Sequence, residues 1–373
     1  MFFCFLQSLW TKNLYAKPLD DLNSFVGNHD AILVVNPQGR IVFSKNADNQ
    51  LVPASVLKIF TALVALHYLG PEYRFSTEFY QNQDSTLKIK GYGDPLLISE
   101  ILMEIVNNLI LYLETKPTII NDLVLDDSYF KSPVLIPGVA SSYEPYDAPN
   151  GALCVNFNTV NFRRDKNGAY VSGETQTPLL PFVLSRITAS AMDRGRIILS
   201  RQKNEKTLYA GHLFLYFLKK QGIKSNGKIR MGRVEKCDKL IFRYLSRFSL
   251  IQVLSTLLEY SNNFIANQLL IASGAKAYGP PGTLEKGIRA ASTTQKTISK
   301  SIMSPLWRVP EYPEAIGSRQ KTFTRFLTCL NRTIFLCAGG TTHFIRPGPL
   351  RASIPWPAIL KMLKENCIVL WCC

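Results

Sequence analysis

Apolar positions along the chain follow two spacings, one typical of strands and one typical of helices. Residues 31–44 form two apolar runs around an Asn-Pro-x-Gly turn, which predicts a β-hairpin. After Pro53 the stretch SVLKIFTALVALHYL is apolar at helical spacing as far as Gly70, which predicts a largely buried helix. The middle reads mostly as strands with one helical stretch, SEILMEIVNNLILYL, and this strand-rich region ends near Val234. From Arg243 helical spacing returns, breaks at SNN and resumes in FIANQLLIAS, so the pattern predicts an α/β (α+β) fold.

The predicted first helix carries a hydroxyl and an amine on one face. Ser55 lies in its first turn and Lys58 follows three residues later, so we expect their Cβ atoms about 5 to 6 Å apart. A serine hydroxyl needs an adjacent base to act as a nucleophile, and a lysine in apolar surroundings can be that base. Alternatively, Ser55 caps the helix and Lys58 extends its amine to solvent. Ser-x-x-Lys recurs at six other places, so the pair alone does not decide.

A second polar break separates the two later helices. Ser261 and Asn263 lie two residues apart in a predicted tight turn, where both side chains can point into one cavity. There a serine can pass a proton and an asparagine can hold a substrate amide. A helix C-cap followed by an N-cap accounts for the same residues without chemistry. On these residues alone both interpretations stay open.

The composition changes abruptly about four fifths of the way along the chain. The protein has 373 residues, enough for two or three domains, and a formal net charge of +16. From Thr293 onward there are 11 Lys and Arg against 3 Asp and Glu, with five of the eight Cys and three of the four Trp. A high positive charge favours an anionic partner such as nucleic acid, but half of it lies in this tail, without a stripe of interleaved aromatic residues. We therefore predict no nucleic-acid partner.

The N-terminal run MFFCFLQSLW has the length of the apolar part of a signal peptide, and Ala16 follows it as a cleavage position. No Lys or Arg precedes the run, so a mis-assigned start codon ahead of a buried strand is the alternative. No later segment reaches the roughly 18 uninterrupted apolar residues of a membrane span. Before the tail the cysteines are only Cys4, Cys154 and Cys237, too few to predict a disulfide framework or a metal site.

Ser-x-x-Lys, Ser-x-Asn and Lys-Thr-Gly in this order are the signature of penicillin-binding proteins and β-lactamases. The chain resembles that superfamily, and specifically the class C low-molecular-mass penicillin-binding proteins, serine D-Ala-D-Ala carboxypeptidases that also act as endopeptidases. The resemblance covers roughly Ala31 to Ser292. It rests on six segments in the family's order, LVPASVLKIFTALVAL, GYGDPLL, DLVLDDSYF, PYDAPNGALCVNFNTV, EYSNNFIANQLL and TLEKGIRAAS.

The resemblance implies a penicillin-binding-protein/β-lactamase-like transpeptidase domain with β-rich domains inserted between its first two motifs. The transpeptidase domain would comprise residues 17–90 and 240–292, and the inserted domains residues 91–239. Residues 1–16 would be a signal peptide for export to the periplasm, and residues 293–373 a tail replacing the rest of the domain.

By resemblance, Ser55 is the acylated nucleophile, Lys58 its base, Ser261 a proton relay and Asn263 a substrate-binding residue. The implied partners are peptidoglycan peptide stems, with β-lactam antibiotics as acylating inhibitors, and the implied chemistry needs no cofactor. A β-lactamase is the alternative within the superfamily, although the long insert argues against it. A catalytically silent peptidoglycan-binding protein is the alternative outside enzymes.

The third motif of this family, Lys-Thr-Gly, is absent from the chain, and the nearest string in the expected region is IRPGP at 345–349. One codon choice for that string, ATA AGA CCG GGA CCN, reads Lys-Thr-Gly-Thr when its first two bases are omitted. The same shift gives family-like segments from residues 309–320 and 351–359. We therefore hypothesise that the reading frame slips near Ser292 or Thr293. The stretch MSPLWRVPEYPEAIGSRQKTFTRF of the translated tail shows little period and contains prolines, so we expect it to build none of the supporting sheet.

Overall fold

The computed structural model of the protein describes most of the chain up to the start of the tail. The described residues are 26–35, 41–49, 55, 57–113, 119–139, 142–200, 204–302 and 368–372. The chain divides into two compact units, Met1–Leu57 with Gln295–Cys373, and Lys58–Thr294. The predicted signal peptide and the string IRPGP both lie outside the described residues.

The first unit contains a three-stranded antiparallel sheet in the order β13, β1, β2. The predicted hairpin is correct, since β1, Ala31–Val35, pairs with β2, Ile41–Lys45. On its other side β1 pairs with β13, Ile368–Cys372, in the tail. The stretch 303–326, which we expected to build no supporting strand, lies outside the described residues. The run IVLWC contains no proline and is rich in residues that favour strands, which explains its pairing.

The second unit is built around a five-stranded mixed sheet in the order β11, β6, β4, β3, β12. Its strands are β3 Ser76–Gln81, β4 Leu87–Gly91, β6 Leu123–Asp126, β11 Ile229–Met231 and β12 Lys239–Leu245. Side chains alternate along β4: Leu87 and Ile89 belong to the hydrophobic core, whereas Lys88 and Lys90 form ion pairs with acidic residues. The sheet takes strands from both sides of the predicted domain boundaries, and that division stays a prediction.

The described residues also form α-helices. They are α1 Leu57–Leu69, α2 Ser99–Leu109, α3 Leu184–Ala189, α4 Glu205–Lys220, α5 Leu250–Tyr260, α6 Asn263–Tyr278 and α7 Leu284–Ile302, the last ending in the first unit. Within the described residues, every helix is too short or too polar to span a bilayer. The helix α7 continues without a break past Ser292 and Thr293.

Helix α4 was missed by the sequence reading, which took the middle of the chain as strands with a single helix. Its aromatic residues favour strands by propensity, but their spacing is helical, and Tyr209, Leu213 and Phe217 are all buried. Together with α2 this helix covers the apolar side of the five-stranded sheet. The remaining strands are short: β7 Thr159–Arg164, β8 Tyr170–Ser172 and β9 Arg194–Ile198 form one sheet, and β5 Ile119–Ile120 pairs with β10 Lys224–Ser225.

A second core joins α1, α5 and α6. Ala62 and Ala65 of α1, Leu254 of α5, and Ile265 and Leu269 of α6 are buried in this one cluster. The small side chains of α1 let the three helices approach closely. This packing places the start of α1 beside the turn between α5 and α6.

Candidate functional site

Lys58 is a buried cation in the first turn of α1. Its residue is only 8% exposed, although the helix has no acidic residue in its first turn. Burial lowers the pKa of the Lys58 amine, because loss of hydration disfavours the charged form. A larger fraction of the Lys58 amine is therefore neutral near pH 7, and so available as a base, than in an exposed lysine.

The amine of Lys58 reaches the turn that separates α5 from α6. Its Nζ donates a hydrogen bond to Oγ of Ser261 at 3.0 Å, between residues 203 positions apart in the sequence. Ser261 is exposed, ends α5, and has left-handed backbone angles, φ 49° and ψ 43°. A non-glycine residue in this region costs about 1 kcal/mol or more and recurs at functional sites. The backbone thus holds the Ser261 hydroxyl in one orientation, in contact with the buried amine.

The two asparagines after Ser261 make different hydrogen bonds. Asn262 is the N-cap of α6, since its side chain accepts a hydrogen bond from the backbone N–H of Ile265. Asn263 is exposed, and its Nδ2 donates to the carbonyl of Tyr146 at 3.4 Å. Capping therefore accounts for Asn262, which leaves the amide of Asn263 at the surface beside Ser261.

Ser55 lies immediately before α1 in the chain and is exposed. Ser55 itself has 3₁₀-helical geometry, and the α-helix begins two residues later at Leu57. Ser55 belongs to the first unit, whereas Lys58, Ser261 and Asn263 belong to the second. The structure thus joins Lys58 to Ser261 directly and places Asn263 two residues beyond.

One of the other Ser-x-x-Lys pairs illustrates the structural use of the same pattern. Lys88, three residues after Ser85, donates to Oδ2 of Asp238 at 2.8 Å and to the carbonyl of Arg233 at 3.3 Å. Its amine is therefore held in an ion pair. Lys58 instead donates to a neutral hydroxyl, Oγ of Ser261, at the C-terminal end of α5.

A buried amide network fastens the segment around Asn150 to α6. Nδ2 of Asn150 donates to the carbonyl of Phe264 at 3.0 Å and to Oε1 of Gln268 at 3.2 Å. Gln268 is fully buried and donates through Nε2 to the carbonyls of Gly151 at 2.9 Å and Gly93 at 3.2 Å. These bonds fix the first two turns of α6, which begin at Asn263.

A buried ion pair also supports the segment around Asn150. Nζ of Lys206, in α4, lies 2.6 Å from Oδ2 of Asp127, and both residues are at most 5% exposed. Burial works against the charge on Lys206, but the carboxylate of Asp127 outweighs it and raises the pKa of the amine. Oδ1 of Asp127 accepts from the backbone N–H of Leu153 at 2.7 Å. Gly151 leaves room for the lysine, because a Cβ there would come within 2.2 Å of Nζ.

The sequence reading did not identify Gln268, Asn150, Asp127 or Lys206. The segments DLVLDDSYF and PYDAPNGALCVNFNTV, which contain Asp127 and Asn150, carry the resemblance, but it implied no role for either residue. A polar residue within an apolar helical run, such as Gln268, was the available signal. Across the described residues, no group of three or more His, Cys, Asp and Glu side chains is arranged to hold a metal ion.

Comparison with known proteins identifies the family of the chain. The sequence profile described as the D-Ala-D-Ala carboxypeptidase 3 (S13) family matches residues 12–195 and 191–299. The D-alanyl-D-alanine carboxypeptidase of Actinomadura sp. (strain R39) is 26% identical over 302 residues. That alignment covers 69% of this chain but only 56% of the relative, so the chain spans little more than half of the relative's length.

Solved structures show the same fold. Penicillin-binding protein 4 of Haemophilus influenzae is similar with a TM-score of 0.62 and 18% identity, over 86% of this chain and 80% of that one. A structure of the same protein complexed with a β-lactam gives a TM-score of 0.58 and 20% identity, over 85% and 78%. The predicted fold class and the resemblance to class C penicillin-binding proteins are confirmed. Since the family profile matches well over half of the residues, the chain belongs to the D-Ala-D-Ala carboxypeptidase 3 (S13) family.

Proposed function

We propose that the protein is built as a serine-type D-Ala-D-Ala carboxypeptidase and endopeptidase of peptidoglycan, and that this chain is impaired in that reaction. The observation that carries the proposal is the hydrogen bond from the buried amine of Lys58 to Ser261, in a member of a carboxypeptidase family. A lysine with a lowered pKa is suited to general-base work, and a hydroxyl bonded to it is suited to proton relay.

In the proposed reaction, Oγ of Ser55 attacks the carbonyl carbon between two D-alanines. Lys58 accepts the hydroxyl proton, the C–N bond breaks, and Ser261 passes a proton to the departing amine of the terminal D-alanine. Water then hydrolyses the ester on Ser55, with Lys58 again accepting the proton. The amide of Asn263 holds the peptide chain, and a β-lactam would acylate the same serine.

We attribute the impairment to the missing Lys-Thr-Gly motif. Without it the chain lacks part of the oxyanion site and of the carboxylate-binding site, and one oxyanion donor alone is worth about 2.7 to 4 kcal/mol. The family match stops at residue 299, close to the predicted frame slip, which supports an out-of-frame tail. Export to the periplasm behind residues 1–16 belongs to the same proposal.

The activity is tested by measuring D-alanine release from a peptide ending in D-Ala-D-Ala. We compare this chain with the same chain carrying the shifted frame from codon 293. The frame-restored chain should release D-alanine and the chain as written should be at least about a hundredfold slower. The variant Ser55→Ala should abolish release, whereas Ser85→Ala, at another Ser-x-x-Lys pair, should not. No release by the frame-restored chain would reject the enzymatic proposal and favour a silent peptidoglycan-binding protein.

The origin of the tail is tested separately by sequencing the gene across codons 280 to 350 from an independent clone. Codons that read Lys-Thr-Gly-Thr in the shifted frame support the slip, and a missing or added base identifies its position. Codons that do not permit this reading reject it.

A further inference from the structure

A stretch of the second unit outside the proposed catalytic residues concentrates positive charge. Residues 219–239, which we name the basic segment, hold eight Lys and Arg against two Asp and Glu. The rest of residues 1–292 holds 24 Lys and Arg against 22 Asp and Glu and is nearly balanced. The charge excess of this part of the chain therefore comes almost wholly from one segment.

All the basic side chains of this segment are at the surface. The exposed residues are Lys219, Lys220, Lys224, Lys228, Arg230, Arg233, Lys236 and Lys239. They extend from the end of α4 through the edge strands β10 and β11 to the beginning of β12. The segment thus presents one continuous run of cationic groups to solvent.

The acidic residues nearby leave most of this charge uncompensated. The carboxylate of Asp238 is only 1% exposed and is bound to Lys88 at 2.8 Å, away from the exposed lysines. Asp122 is bound to Arg230 at 2.7 Å. Glu235 is the remaining acid of the segment, and its nearest ion pair is also with Lys88, at 3.9 Å.

Six of the eight cations of the segment form no ion pair among the described residues. These are Lys219, Lys220, Lys224, Lys228, Arg233 and Lys236, of which Lys228 lies near the carboxylate of Asp122. Placing several unpaired like charges close together is unfavourable in the isolated protein, and an external anion would relieve it.

Protection of the sheet edge is the structural alternative. Exposed lysines on an edge strand discourage pairing with another chain, and β11 is an edge of the five-stranded sheet. That explanation covers Lys228 and Arg230. It does not cover Arg233 and Lys236, which lie in the connection after β11.

The composition of the segment narrows the class of partner. It contains no aromatic residue, so it offers no platform on which nucleic-acid bases could stack. Its apolar residues Ile223, Ile229, Met231 and Val234 are buried or half-buried, so none is available as a membrane anchor. A hydrated polymer that carries many fixed anions fits this surface best.

We propose that the basic segment docks the protein on peptidoglycan through the carboxylates of its peptide stems. The choice of polymer rests on the proposed function, since every stem that ends in D-alanine carries a terminal carboxylate. Docking of this kind holds the protein on the insoluble wall independently of the acylation of Ser55.

The test is co-sedimentation of the full chain with purified insoluble peptidoglycan. A basic side chain near an anionic surface contributes about fivefold in affinity, so Lys224→Gln, Lys228→Gln and Lys236→Gln together should weaken binding about a hundredfold at about 0.1 M salt. Binding of the unchanged chain should also fall steeply by about 1 M salt, where the screening length is about 3 Å. Amidation of the peptidoglycan carboxyl groups should have the same effect.

The matched control removes the same charge elsewhere on the second unit. Lys131, Lys166 and Lys276 are exposed, and replacing all three with glutamine should leave binding within about twofold of the unchanged chain, since charges beyond about 10 Å are largely screened. Equal loss in both triple variants would overturn the proposal, because it would indicate an effect of net charge alone. Unchanged wall binding with increased self-association in the first variant would assign the lysines to edge protection instead.

Two further results distinguish docking on the wall from membrane binding and from acylation of Ser55. Stronger sedimentation with anionic phospholipid vesicles than with peptidoglycan would reject the wall as partner in favour of a membrane. Ser55→Ala should bind the wall like the unchanged chain. If the frame-restored chain shows acylation but the basic segment does not affect binding, only the docking inference fails. If wall binding depends on the segment but D-alanine is never released, only the proposed reaction fails.

Discussion

Replacing Lys206 with methionine should destabilise the second unit by about 3 to 5 kcal/mol at neutral pH. This is the usual cost of removing one partner of a buried ion pair and leaving the other charge unpaired. Lys206 and Asp127 are 5% and 4% exposed, with 2.6 Å between Nζ and Oδ2, so Asp127 would have no solvent to replace the lysine. Methionine fills most of the same volume, so the loss should come mainly from the charge.

The double variant Lys206→Met with Asp127→Asn distinguishes charge from shape. It removes both charges, while the asparagine oxygen still accepts the hydrogen bond from Leu153 N–H. We expect it to recover most of the loss, to within about 1 to 2 kcal/mol of the unchanged chain, because neutral replacements of buried pairs are often tolerated.

Urea unfolding followed by far-ultraviolet circular dichroism is the suitable assay. Tryptophan fluorescence does not report on this unit, since residues 58–294 contain no tryptophan. A loss below about 1 kcal/mol for Lys206→Met would refute the buried pair, because the median surface pair contributes that little. A double variant as unstable as the sum of both single changes would refute the coupling between the two charges.

Three further predictions concern single side chains. Burial raises the pKa of Asp94 to about 6, above its unfolded value, so the stability that its neutral carboxyl contributes is present below about pH 4 and is lost as pH rises through about 6. The variant Asp94→Asn should therefore stabilise the fold by about 3 kcal/mol at pH 7 and by almost nothing at pH 4. Urea unfolding at the two pH values measures this difference. Lys58→Arg should abolish penicillin acylation of the frame-restored chain, because a guanidinium cannot become a neutral base. Its secondary structure should change little. Acylation at an unchanged rate would contradict the assigned role of Lys58. Asn262→Ala should lower the free energy of unfolding by about 1 kcal/mol, because it removes an N-cap. Asn263→Ala should lower it by under about 0.5 kcal/mol but should raise the KM of the frame-restored chain. A larger loss of stability in Asn263→Ala and a raised KM only in Asn262→Ala would exchange their roles.

The parts of the fold that follow a clean hydrophobic period were predictable. The spacing of apolar residues and the positions of turn and helix-breaking residues predicted the hairpin of β1 and β2, the helix after Pro53 and the polar break at Ser261. Helix α4 was missed because its tyrosines and phenylalanines favour strands by propensity, and tertiary packing decided otherwise.

The supporting interactions of the site could not be read from the sequence. The contact between Lys58 and Ser261 depends on how α1, α5 and α6 pack, and no local pattern encodes a bond across 203 positions. Gln268 and Asn150 likewise acquire their roles only when α6 meets a segment more than 100 residues away. The resemblance supplied roles for the motif residues but none for the side chains that position them.

The central claim is that Ser55 is an acylated nucleophile and that its reaction is lost with the out-of-frame tail. Mass spectrometry after incubation with a labelled penicillin tests this most directly, on this chain and on the frame-restored chain side by side. We predict a stoichiometric adduct on Ser55 of the frame-restored chain and little or none on the chain as written. A stoichiometric adduct on Ser55 of the chain as written would contradict the impairment, and no adduct on Ser55 of either chain would contradict the assignment of the nucleophile.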